Sequence, residues 1–296
     1  VTTVDIQGAP GSAPGGVIHD IGYQRYDGPR LGRPYIFGSL YLHGLRAAFG
    51  FGRSAKAKVF PWLLVAVIGM VAVVLTVIQS QTGRFVLSYA EFPQELSLLI
   101  VFFCAIVAPE LVSRDLHSGA LPLYFARPLH RSDYALAKLA AMISAAFLIM
   151  AGPLTLMFAG AAFSVDKFSK VWGEAGDWLV GLGHVAVHVV AFASVAVLVA
   201  ALIRRRAVAS GAIVGVFLLS TPVFGVLSVL PSRTANELAG LTSPMTLVSG
   251  VCAWLFGSDG EFDIGGFGPL YGLVALVLVI GCVLLLLARY RKVATR

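Results

Sequence analysis

The chain has 296 residues, of which 58% are hydrophobic and only 12% are charged, with a net charge of +7. A soluble domain carries about 25% charged residues, so half that share, with a mean hydropathy of +0.85, excludes an ordinary soluble protein and points to an integral membrane one. The excess of Lys and Arg flanks apolar runs, which makes it a topology signal rather than a nucleic-acid footprint; Cys104, Cys252 and Cys282 form no CxxC and support neither a disulfide framework nor a metal cluster.

Residues 1–34 are rich in Gly and Pro, which propagate neither helix nor strand. They are expected to form a cytoplasmic tail. They hold no short apolar core behind a basic start and so do not read as a signal peptide. The strip 22–30, GYQRYDGPR, suits the headgroup level or a partner. Residues 35–58 read as an amphipathic interfacial helix. Phe37, Leu40, Tyr41, Leu45, Ala48 and Phe49 fall on one face, with Ser39, His43 and Arg46 away from them.

Residues 59–296 then read as a six-helix transmembrane domain. The spans are expected at 59–80, 96–111, 139–163, 178–203, 207–230 and 268–288, each needing roughly 20 apolar residues. The second is short and is expected to begin nearer Phe92. Residues 241–256 are apolar but short, and contain Pro244 and Gly250. They read as an interfacial or re-entrant helical pair within the outer loop 231–267.

With both termini in the cytoplasm, all but four of the 22 Lys and Arg fall on the inner side. The exceptions are Arg84, Lys167, Lys170 and Arg233. This asymmetry predicts a multi-pass protein of the inner (plasma) membrane with both ends cytoplasmic. Arg204, Arg205 and Arg206 read as an anchor that snorkels to anionic lipid.

The apolar cores of the spans carry no Asp, Glu, Lys or Arg, whereas ion-coupled carriers need such groups at mid-membrane. The titratable exceptions are His184 and His188, one helical turn apart. They are compatible with hydrogen bonding to neighbouring helices and with a polar lining of a translocation path. A metal site would lack a third ligand such as the glutamate of HExxH. No GxxxxGK[ST] and no GxSxG occur, so the chain has no phosphate-cradling loop and no nucleophile elbow of its own.

The functional weight therefore falls on residues 109–138, PELVSRDLHSGALPLYFARPLHRSDYALAK. Glu110 precedes Arg114 by four residues, the favourable order on a helix. Gly119 breaks that helix and Pro122 can open a short new one, with Leu121, Leu123, Tyr124 and Phe125 apolar. Arg127-Pro128 stops it, Ser132 or Asp133 can cap the third span, and Lys138 enters that span at the membrane boundary. A short helix on two stems suits a groove in another protein.

In these residues the chain resembles the membrane subunits of ATP-binding-cassette transporters of the ABC-2 type, the exporter-like permeases. The resemblance rests on Glu110, Arg114 with Asp115, Gly119, Leu121, Pro128, Arg131 and Lys138, and extends to the interfacial helix, the six spans and the outer helical pair. Ala120 stands where many relatives carry Thr. The resemblance implies an all-α membrane permease with an elbow helix, a cytoplasmic coupling helix at about 119–126 and an external gate around 243–256. The coupling contact would comprise Glu110, Arg114, Asp115, Gly119, Leu121, Pro122, Tyr124, Arg127, Pro128, Arg131 and Lys138. It further implies two copies of a separate ATPase that bind ATP and Mg, a second permease as homodimer or heterodimer, lipid contacts, and no cofactor or chemistry in this chain. An ion-coupled carrier using the two histidines, or a non-transporting scaffold, are the competing classes.

Overall fold

The computed structural model describes residues 28, 32–52, 55–83, 86–113, 115, 129–164, 168–257 and 262–293. Among them every regular element is helical: α1 Arg33–Ala48, α2 Ala55–Thr82, α3 Glu91–Glu95, α4 Ser97–Leu111, α5 Arg131–Ser164, α6 Phe168–Leu202, α7 Arg206–Ser228, α8 Arg233–Ala239, a 3-10 turn Gly240–Thr242, α9 Pro244–Phe256 and α10 Gly268–Val293.

α1 carries the expected amphipathic pattern. Ser39, His43 and Arg46 are exposed, while Gly44 and Ala48 are buried. The buried face lies on α5. A Cβ at Gly44 would sit 2.9 Å from that of Ala141, and the Tyr41 hydroxyl donates to Ser144 Oγ at 2.9 Å. The helix ends at Ala48, short of the expected 58, where Gly50 takes a left-handed φ of 74° with the Ala57 backbone against it. That conformation and that approach both favour a residue without Cβ.

Five helices are long and apolar enough to cross a membrane: α2, α5, α6, α7 and α10. They match the first, third, fourth, fifth and sixth expected spans. The expected second span is α4, with only 15 residues. At about 1.5 Å per residue it reaches roughly 22 Å, less than a core of about 30 Å. The start near Phe92 is found as a separate helix, α3. The Leu96 amide donates to the Phe92 carbonyl and the Ile100 amide to the Leu96 carbonyl, so the ladder is carried across the break.

Two boundaries differ from expectation. α5 begins at Arg131 rather than 139, and α6 at Phe168 rather than 178. At 34 and 35 residues each exceeds a hydrocarbon core by roughly 20 Å. The added turns contain Asp133 and Lys138 in α5, and Glu174 and Asp177 in α6. Hydropathy alone ends a helix at its first charges. Here Asp133, Lys138 and Glu174 have partners in Arg33, Asp115 and Tyr89, so the helix continues.

The helical pair also starts earlier than expected. Its arms are α8 and α9, bent by 114°, so residues 241–256 hold one turn and one arm rather than both. Ser232 caps α8, accepting from the Ala235 amide, and Pro244 opens α9, as its fixed φ suits a first helical turn. By length and composition the pair could also count as one broken span. Its neighbours fix its course. The Phe224 ring near the end of α7 lies tilted against Phe262, centres 5.1 Å apart, and Phe262 approaches Tyr271 at the start of α10. The chain thus leaves α7 and enters α10 at the same end of the bundle. The turn between the arms lies deeper, where Ser220 and Ser243 hydroxyls meet at 3.1 Å.

α5 and α6 form the centre, and α5 packs against α1, α2 and α6. The outer faces of α2, α7 and α10 remain apolar and uncovered, with Met70, Val74 and Val77, then Leu219, Val223 and Val226, then Leu273, Leu276, Val277 and Leu284 exposed. On a water-soluble protein such stripes would be an aggregation hazard; in lipid they are the matching surface.

Candidate functional site

The connector between α4 and α5 is anchored at its two ends by residues that come together. Asp115 Oδ2 lies 2.9 Å from Lys138 Nζ, with side-chain exposures of only 18% and 6%. The same oxygen accepts from the Tyr134 hydroxyl at 2.6 Å. The Lys138 ammonium also lies 5.4 Å from the centre of the Tyr134 ring, within cation–π range. An ion pair withdrawn from water is held only where geometry and further hydrogen bonds offset its desolvation, and here the phenol supplies one. The lysine does not merely mark the membrane boundary. It closes the base of the connector.

Glu110 at the end of α4 accepts from the Arg206 guanidinium at 2.5 Å. Of the three arginines expected as a lipid anchor, Arg206 is thus part of the protein's own packing. Nearby, Ser113 donates to the Ala200 carbonyl at 2.9 Å, and Arg289 Nε to the Ala201 carbonyl at 3.4 Å. These carbonyls are among the last of α6, which have no intrahelical donor.

Asp133 does not cap α5, which has already begun at Arg131. Its carboxylate takes a two-pronged contact from Arg33 on α1, at 2.5 and 2.6 Å. These hydrogen bonds raise the Arg33 guanidinium above its ordinary value. Arg131 Nη1 donates to the Arg291 carbonyl of α10 at 3.2 Å, beside the edge-on contact of Tyr134 and Tyr290. Helices α1, α4, α5, α6, α7 and α10 are thereby laced together at one end of the bundle.

Of the expected contact residues, Glu110, Asp115, Arg131 and Lys138 are in this cluster. Arg114, Gly119, Leu121, Pro122, Tyr124, Arg127 and Pro128 lie outside the described residues. Sequence reasoning missed Arg33, Ser113, Tyr134, Arg206 and Tyr290. Arg33 and Arg206 had a usable signal, as basic residues expected at the same end as Glu110.

At the opposite end, Tyr89 donates to Glu174 at 2.9 Å. Burial first, then that carboxylate, raises the Tyr89 phenol above its ordinary value. The α8–α9 pair is fixed by Arg233–Glu237 at 2.7 Å, by Tyr271 donating to the Glu237 carbonyl at 2.7 Å and by Thr246 donating to the Gly240 carbonyl at 2.8 Å. Gly250 lies against the Tyr271 ring so closely that a Cβ would meet it at 2.4 Å.

His184 and His188 are both fully buried between α6 and α9. His188 Nδ1 faces the His184 carbonyl at 2.8 Å and lies 3.9 Å from Cys252 Sγ. His184 lies against Phe256, ring centres 4.6 Å apart. The bond is therefore back to the same helix, and the pair packs against the outer arm α9. Among the described residues, no group of three or more His, Cys, Asp or Glu could hold a metal ion.

A protein-family model described as "ABC-2 family transporter protein" matches residues 41–288, which takes in every helix but the first turns of α1 and the end of α10. Among curated protein sequences, none matches the chain.

Proposed function

Because the chain belongs to the ABC-2 family of transporter proteins, and is thus a multi-pass membrane transport subunit, we propose that it is the permease of an ATP-driven exporter, worked by a separate ATP-binding-cassette ATPase. The observation that carries this reading is the Asp115–Lys138 pair with Tyr134. It closes the two stems of the connector into one unit, and the surrounding contacts tie that unit to six helices. A push on residues 116–128 would then move helices rather than bend a loop. ATP and Mg would be held by the partner, of which two copies are expected, with a second permease completing the path. Residues 119–126 would form the contact helix, carrying Gly119, Leu121, Pro122 and Tyr124, with Arg114 before it and Arg127 and Pro128 after it.

The α8–α9 pair would serve as a re-entrant external gate. Its arm α9 touches α6 at His184 and His188, so the histidines of the proposed path would lie behind the gate. An ion-coupled carrier is disfavoured, because these imidazoles are buried and, among the described residues, no carboxylate is hydrogen-bonded to them.

Two experiments test this. Gentle solubilisation should bring an ATP-binding-cassette ATPase down with the chain, and transport in vesicles should require ATP. Transport that persists without ATP and without a bound ATPase would sink the reading. For orientation, a cysteine at Ser118 should react only from the cytoplasmic side and one at Asp259 only from outside. The reverse pattern would invert the topology while leaving the family assignment intact.

A further inference from the structure

Beside the connector, the start of α5 and the end of α10 flank an open cavity of about 430 Å³ lined by Leu129, His130, Arg131, Ser132, Leu287 and Arg291. Among the described residues, no carboxylate lines it. The three carboxylates described at this end are engaged with basic partners: Glu110 with Arg206, Asp115 with Lys138 and Asp133 with Arg33. The cavity therefore has a positive wall. The first turn of α5, a helix of 34 residues, adds the positive end of its dipole on the same side.

The wall is not uniformly polar. Leu129 and Leu287 supply an apolar side, and the adjoining surface of α10 continues it one turn back with Leu284, which is 60% exposed. The opposite face of α10 turns into the bundle through buried Leu286 and Tyr290. A groove that is basic at the helix ends and apolar one turn further into the span suits an amphiphile at headgroup depth. Basic pockets between helices at a membrane surface select anionic headgroups.

We propose that this cavity is a binding site for the phosphodiester headgroup of an anionic phospholipid. Arg131, Arg291 and His130 would face the phosphate, and Leu287 with the exposed Leu284 would take the first part of an acyl chain. The site lies against Arg131, where α5 joins the connector, so an occupying lipid would touch the same joint that the coupling account uses. The inference rests on the membrane setting of the family and not on the identity of the ATPase.

The test uses the full chain in phosphatidylcholine nanodiscs containing trace spin-labelled phosphatidylglycerol or, separately, spin-labelled phosphatidylcholine. The motionally restricted fraction is read by electron paramagnetic resonance. Phosphatidylglycerol should be retained preferentially. Arg291→Gln, whose side chain is exposed and makes little packing, should weaken the preference about five-fold, and Arg131→Gln with it by about as much again. Leu287→Trp should abolish it with no change of charge. The control Arg46→Gln, which lowers the charge outside the cavity, should leave it intact. An equal loss in the control would reduce the effect to general surface potential and overturn the site. So would a preference that survives both Arg291→Gln and Leu287→Trp. Displacement of the lipid by inorganic phosphate alone at similar concentration would overturn it in favour of a soluble-anion site.

Discussion

Lys138→Met should destabilise the protein by about 3–5 kcal/mol, the cost of leaving one partner of a buried ion pair uncompensated. Asp115 would then lose its ammonium partner while keeping the Tyr134 hydroxyl, with only 18% of its side chain exposed. The effect should appear as a large fall in thermal midpoint in detergent, accompanied by loss of coupled transport. The double variant Asp115→Leu/Lys138→Met separates charge from packing. Removing both charges in favour of apolar groups is often close to neutral, so most of the stability should return, less the Tyr134 hydrogen bond. Coupling should not return with it if the pair is needed to hold the connector's geometry. A single variant that melts like the unaltered protein would mean that the ion pair does not close the base.

Glu110→Ala and Arg131→Ala should behave differently. Glu110 and Arg206 are more open, with exposures of 23% and 45%, and pairs of that kind contribute about 0–1 kcal/mol to stability. Insertion and melting should therefore change little. The coupling between ATP hydrolysis and transport should fall by about 2- to 30-fold, the range corresponding to roughly 0.5–2 kcal/mol for residues on a path between two sites. Substrate-stimulated ATPase activity in reconstituted vesicles measures it. A double-mutant cycle of Glu110→Gln with Arg206→Gln gives the pairwise part. Unaltered coupling in both Glu110→Ala and Arg131→Ala would remove these residues from the lever.

The sequence was most readable where lipid dictates the pattern. Long apolar runs bounded by charge located α2, α5, α6, α7 and α10, and the spacing of Phe37, Leu40, Tyr41 and Leu45 located α1, because both signals are local. The boundaries of α5 and α6 were lost for the opposite reason. Asp133, Lys138 and Glu174 look like the end of a span until Arg33, Asp115 and Tyr89 are seen beside them, and two of these three partners lie more than 80 residues away along the chain. The arms of the outer pair were misplaced because α8 is short and polar. Arg233–Ala239 has no apolar period, and its place depends on Glu237 reaching Arg233 and its carbonyl reaching Tyr271. Glu110, Asp115, Arg131 and Lys138 stand out in the sequence by charge and by the family resemblance, but no spacing rule predicts that Asp115 meets Lys138. That contact spans the very segment whose function is in question.

The central claim is that an ATPase works this chain through the tip of that connector. The direct measurement is site-specific photocrosslinking. In a Cys282→Ser background, leaving the buried Cys104 and Cys252 in place, Tyr124→Cys would carry a maleimide–benzophenone in native membranes, and its adducts would be identified by mass spectrometry. The account predicts an adduct with an ATP-binding-cassette ATPase, with a yield that changes when ATP is added, and no such adduct from the same probe at Asp259→Cys. An ATPase adduct from Asp259 with none from Tyr124, or probe at Tyr124 that reaches only lipid, would contradict it.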